Sequence, residues 1–111
     1  MSQDFRRAKR RSVTEPIGVM DTLTDQLIGR LGNLSESGML LIASVPVLDD
    51  AIYQLRFHVR DASGREMPID VGAHLLWSAQ ANTPGQTFAG LRFLTIEPTP
   101  LETLRQWVNA G

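Results

Sequence analysis

Tyr53-Gln54-Leu55-Arg56-Phe57-His58-Val59-Arg60, followed at once by Asp61-Ala62-Ser63-Gly64, is the stretch whose reading decides the fold class. Tyr53, Leu55, Phe57 and Val59 alternate with four polar side chains, the two-residue period of a strand with one buried face. The Asp-to-Gly segment behind it is turn chemistry, because Asp bonds its own downstream backbone and Gly accepts a positive φ. A half-buried strand entering a hairpin turn predicts antiparallel neighbours.

Reading outward, the flanks supply them. Downstream, Glu66 to Ala79 is a second long extended stretch ending in Leu75-Leu76-Trp77. Asn82-Thr83-Pro84-Gly85 is another turn, and Thr87 to Ile96 reads as a last strand, with Gly90 marking a bulge or a close backbone approach. Upstream, Met39 to Val45 is a compact apolar run, punctuated by Pro46 to Asp50. Gln26 to Leu34 is ambiguous: Leu23, Leu27, Leu31 and Leu34 fall near helical spacing, yet Gly29 and Gly32 disfavour a helix, and a strand is expected. Val13 to Met20 is expected as a first strand, with Pro16 confining it to an edge or a bulge. The chain closes on a helix over 98–110, in which Thr99 as N-cap, Pro100 at N1 and Glu102 at N3 form a capping box. Leu101, Leu104 and Val108 share one face of it and Trp107 flanks them. The expectation is an all-β fold with a C-terminal helix, a small barrel with a helical cap. Periodicity alone fits an OB-like or SH3-like barrel equally well.

With 111 residues the chain is expected to form one domain, and its 42% apolar content is enough for one modest core. It has no cysteine, which excludes a disulfide framework and any thiolate metal site and accords with a reducing cytoplasm. No apolar run reaches the roughly 18–20 residues needed to cross a bilayer, so no membrane insertion is expected. A net charge of −1 conceals an asymmetry: Arg6, Arg7, Lys9, Arg10 and Arg11 face only Asp4 in the first twelve residues, whereas the rest has six arginines and eleven carboxylates. Residues 1–12 are therefore expected to form a mobile basic arm drawn to phosphate, ahead of an acidic barrel over 13–111. A general nucleic-acid binder would carry cations across its body, which this chain does not, so nucleic acid is not an expected partner.

Two short patterns remain. Arg7-Ala8-Lys9-Arg10-Arg11 reads RxxxR, and Arg6 with Arg10 gives the same spacing in a second register. Arginine pairs bidentately with guanine O6 and N7 and with phosphate, and its flat face stacks on a base. Asn33-Leu34-Ser35-Glu36-Ser37-Gly38 reads NxSxxG, a turn in which Asn and Ser shape the backbone and can present donors and acceptors, while Gly38 permits a positive φ or a close backbone approach. Either pattern alone is ordinary.

Together they resemble the PilZ domain, the bacterial receptor module for cyclic di-GMP. Met39-Leu40-Leu41, Leu76-Trp77 and Gly90-Leu91-Arg92-Phe93 resemble further segments of that family, and the likeness runs along essentially the whole chain. Asn33 stands where the family has Asp or Asn, and Asp4-Phe5 precede Arg6 where the family often has more arginines. The resemblance implies a six-stranded antiparallel barrel and a non-enzymatic receptor whose ligand is cyclic di-GMP, with no other cofactor. Carried over residue by residue, it casts Arg7, Arg11, Asn33, Ser35 and Gly38 as ligand-binding, with Arg6, Arg10 and Trp77 as further candidates. It implies arm ordering on binding and an unidentified protein effector. A second reading is a nucleotide-independent PilZ-fold interaction protein in type IV pilus assembly or motility, and a third is a small nucleic-acid-binding barrel. His58 and His74 are isolated, Asp49-Asp50 reads as a solvated turn, and neither a nucleophile–base pair nor a phosphate-cradling loop is present in the sequence.

Overall fold

Leu55, Phe57 and Val59 are each nearly inaccessible, as their alternation predicts. They lie in the central strand of the computed structural model, which describes residues 8–111. The elements in chain order are β1 (Arg11–Ser12), β2 (Gly18–Asp21), β3 (Gln26–Leu34), β4 (Gly38–Ala43), β5 (Ile52–Arg60), β6 (Glu66–Gln80), β7 (Thr87–Ile96) and α1 (Pro98–Ala110). Leu55 pairs with Val71 and Phe57 with Ile69, so buried residues of β5 face buried residues of β6. The hairpin between them closes on Asp61, whose carboxylate accepts from the amides of Ser63 at 2.9 Å and Arg65 at 3.0 Å. The Ser63 hydroxyl and these amides hold that carboxyl below the usual range, and Gly64 takes the positive φ of 88° that the turn requires.

Strand order is β3-β2-β5-β6-β7-β4, and β4 pairs back onto β3, closing a six-stranded antiparallel barrel. The two-residue β1 adds to β3 beyond the end of β2.

The expected strand over 13–20 is interrupted. The Val13 amide still donates to the Gly32 carbonyl at 3.0 Å, and the Leu31 amide donates to the Ile17 carbonyl at 2.9 Å. Between these contacts the chain leaves the edge of β3 around Pro16, which has no amide to give to a ladder. The helix-like leucine spacing of β3 also has a physical source. A register shift between Leu31 and Asn33 inserts one residue, so Leu31 and Leu34 both point into the core although three positions apart.

Helix α1 begins two residues earlier than a capping box at Thr99 requires. Its N-cap is Glu97, extended at ψ 154° and making no side-chain cap bond, with Pro98 opening the helix. A residue before proline is pushed to extended backbone, which sets the boundary at Glu97–Pro98; Pro100 falls where its missing amide is not needed. The Thr99 carbonyl instead accepts from the Thr103 hydroxyl at 3.3 Å. Leu104 and Val108 are buried in the core, and α1 packs against β5 and β6.

Candidate functional site

The turn from Ser35 to Ser37, between β3 and β4, is organised from inside. Ser35 is fully buried, and its Oγ accepts from the amides of Ser37 and Gly38, both at 3.1 Å, while lying 3.3 Å from the Gly38 carbonyl oxygen. Its bonding capacity is consumed within the turn, not turned outward. Gly38 does not adopt a positive φ, the glycines that do being Gly64 and Gly85. It is required for another reason: it pairs with Arg92 of β7, and a Cβ there would collide with the Leu91 carbonyl.

Strand alternation sorts the arm. Arg11 pairs with the buried Leu34 and Ser12 with Asn33, so Arg11 lies on the inward side of β1 and Arg10 on the opposite side. The Arg10 Nη1 donates to Asn33 Oδ1 at 2.7 Å, bringing one residue of each pattern into contact. The Arg11 Nη1 donates to the Trp107 carbonyl at 2.6 Å, and its guanidinium lies 4.1 Å from the centre of the Trp107 ring, a cation–π contact. Lys9 Nζ donates to the Gly111 carbonyl at 3.3 Å. Arg6 and Arg7 lie outside the described residues.

Arg10 and Asn33 border a groove of about 450 Å³ that also takes Ser37, Trp77, Gly90 and Arg92 into its walls. Trp77 is half-exposed, and its indole lies across Gly90, where a Cβ would strike the ring. A register shift between Leu75 and Trp77 swings it there. The groove thus presents two guanidinium groups, an amide, a hydroxyl and an aromatic face, a set suited to a flat base bearing an anion. Ser37 and Arg92 were not singled out by sequence. Ser37 occupies a variable position of NxSxxG, and Arg92 is visible only as the one cation between Arg65 and Arg105.

Both patterns are also fastened to α1. Glu36 Oε1 accepts from the Arg105 Nε at 2.6 Å, an ion pair that raises the affinity of the guanidinium for its proton, and Arg11 holds the carbonyl of Trp107. A larger cavity of about 570 Å³ flanks Arg11, Glu15, His58, Arg60 and Trp107; its opposed charges and the absence of Asn33 make it the poorer anion site. His74 Nε2 lies 2.6 Å from Asp50 Oδ1. Among the described residues no three metal-capable side chains gather.

Comparison with known proteins places the fold. The family model for the PilZ domain matches residues 4–110. The fold is similar to that of the Bacillus subtilis inhibitor of motility MotI/DgrA, with a TM-score of 0.77 and 11% identity over 96% of this chain and 50% of that one. It is also similar to Escherichia coli YcgR in complex with c-di-GMP, with a TM-score of 0.72 and 20% identity over 96% of this chain and 45% of YcgR. The separate PilZ domain of YcgR with c-di-GMP gives a TM-score of 0.66 and 16% identity over 96% of this chain and 90% of that domain. The chain therefore spans half the length of MotI and less than half of YcgR. No curated protein matches it by sequence. With the family model covering nearly all of its residues, the chain belongs to the PilZ domain family.

Proposed function

We propose that this protein is a receptor for cyclic di-GMP that acts without catalysis, in the cytoplasm, and passes its signal to a protein effector. The observation that carries the reading is the 2.7 Å bond from Arg10 to Asn33, which joins the two patterns at the mouth of one groove. Two of the similar structures hold c-di-GMP, and a third belongs to an inhibitor of motility. A motility output is accordingly the first to test.

In this reading Arg10 releases Asn33 and offers its fork to a guanine or a phosphate. Asn33 uses its amide on the same ligand, and Trp77 supplies a stacking face. Ser35 and Gly38 act by holding the turn and the β4–β7 seam in shape. The Arg10–Asn33 contact favours the Arg6/Arg10 register over Arg7/Arg11, with Arg6 completing the i, i+4 pair. Arg11 then serves as an anchor on α1. The ligand orders the remainder of the arm over the groove, creating a surface for the effector.

Calorimetric titration with cyclic di-GMP, using GTP and cyclic di-AMP as controls, is the direct test. Saturable binding of cyclic di-GMP that neither control reproduces is expected. No heat at high protein concentration would move the nucleotide-independent interaction protein to first place.

A further inference from the structure

The end of the barrel formed by the β2–β3 turn and the β4–β5 loop carries a concentration of exposed apolar side chains. Among the described residues the four most exposed large apolar side chains are Leu23 at 75%, Leu48 at 71%, Ile52 at 62% and Leu27 at 60%. All four belong to the β2–β3 turn and the β4–β5 loop, or to the strand ends that enter and leave them. These connections lie side by side. The Thr22 amide donates to the Gln54 carbonyl at 2.9 Å, the Ser44 amide to the Ile28 carbonyl at 2.9 Å, and the Leu48 amide to the Tyr53 hydroxyl at 3.0 Å. Single exposed leucines need no explanation, but a cluster on one rim does.

The charge on this rim has one sign. Asp25 lies between Leu23 and Leu27 in the chain and Asp49 and Asp50 between Leu48 and Ile52, while the nearly buried Asp21 accepts from the amides of Leu23 and Thr24 and Asp49 Oδ1 from the Ser78 hydroxyl at 2.5 Å. No Lys or Arg occurs from Ser12 to Gly29, from Leu31 to Leu55, or from Leu75 to Leu91, the segments that supply the three connections at this end. Asp50 keeps its carboxylate largely in water even while it contacts His74. β3 runs away from this rim and delivers Asn33 to the groove at the other end, where Arg10 and Arg92 stand. The barrel is therefore polarised, cationic at the groove and acidic around an apolar cluster at the far end.

Complementarity decides the occupant. We infer that this rim docks a cationic amphipathic segment of another protein, its apolar side chains on Leu23, Leu48 and Ile52 and its Lys or Arg residues against Asp25, Asp49 and Asp50. The inference stands apart from the ligand reading, since none of these residues borders the groove.

The probe is a synthetic peptide of about 18 residues with leucine at helical spacing and lysine elsewhere, beside a control with glutamate for every lysine. Titration followed by amide NMR is expected to show saturable binding of the lysine peptide, with shifts confined to residues 22–27 and 46–54, and none with the control. The variant L23S/L48S/I52S should bind about tenfold more weakly or worse. D25N/D50N should do the same with a flatter salt dependence; both positions have positive φ, which Asn tolerates, so the fold is kept. A melting curve and cyclic di-GMP titration on each variant establish that barrel and groove survive. Absence of lysine-peptide binding, equal binding of both peptides, unchanged binding by the variants, or shifts centred on the groove would each overturn the inference. Self-association of the wild type that disappears in L23S/L48S/I52S would overturn it in favour of a second copy of this chain.

Discussion

Arg10 and Arg11 are neighbours of the same chemistry with opposite surroundings. One residue of strand alternation separates a guanidinium on Asn33 from one stacked on Trp107. Arg10→Ala is expected to weaken cyclic di-GMP binding roughly ten- to hundred-fold, the worth of one bidentate guanine contact, with little change in melting. Arg11→Ala is expected to lower stability by about 1–2 kcal/mol through the lost cation–π and carbonyl contacts, and to affect ligand less than Arg10→Ala does. Calorimetry and thermal melts on the two variants make the comparison; a larger binding loss for Arg11→Ala would restore the Arg7/Arg11 register. Ser35→Ala is expected to be the most destabilising change in the turn, about 1–3 kcal/mol, because it strands the buried Gly38 amide and removes the partner of the part-buried Ser37 amide. Urea denaturation measures it, and an unchanged midpoint would return Ser35 to the ligand. Sequence brought these residues forward as candidates but could not say which of their atoms face the groove. Residue types are legible one at a time, whereas the phase of a strand that starts at Arg11 depends on its pairing with Leu34, a partner far along the chain.

At the scale of elements, the strands were legible wherever one face is buried and the other wet. β5 shows this alternation most cleanly, and β3 and β7 begin and end at the residues the pattern marks. What was not legible came from local exceptions. Pro16 divides the first strand because a missing amide matters only where the neighbouring strand would have bonded it. The inserted residue in β3 makes a strand imitate helical spacing. At α1 two prolines compete to open the helix, and the earlier one wins, leaving Glu97 as an N-cap without a side-chain bond. Glu97→Asp puts a shorter carboxylate at that position and is expected to stabilise the protein by about 0.5–1 kcal/mol, some 2–8 °C in melting temperature for a domain of this size. Differential scanning calorimetry checks it, and no gain would mean that the first-turn amides are already well served by water.

At the scale of the whole molecule, the barrel consists of two sequential meanders. β2, β3 and β4 are joined by short connections, and so are β5, β6 and β7. They meet along two seams, β2 on β5 and β4 on β7. Each meander can form from local contacts, but both seams join residues distant in the chain and bear the entropy of closing long loops. The groove straddles the second seam, with Asn33 and Ser37 on one side and Trp77 and Arg92 on the other. A ligand seated there has nothing complete to bind until that seam has closed, so it acts after the folding barrier. Saturating cyclic di-GMP is therefore expected to leave the refolding rate unchanged and to slow unfolding by its full stabilising effect. Stopped-flow refolding and unfolding with and without ligand would separate the two limbs, and an accelerated folding limb would mean that the groove assembles early. On the proposed reading, cyclic di-GMP would govern the lifetime of the closed barrel, and the liganded protein would be the form that persists longest against proteases and heat.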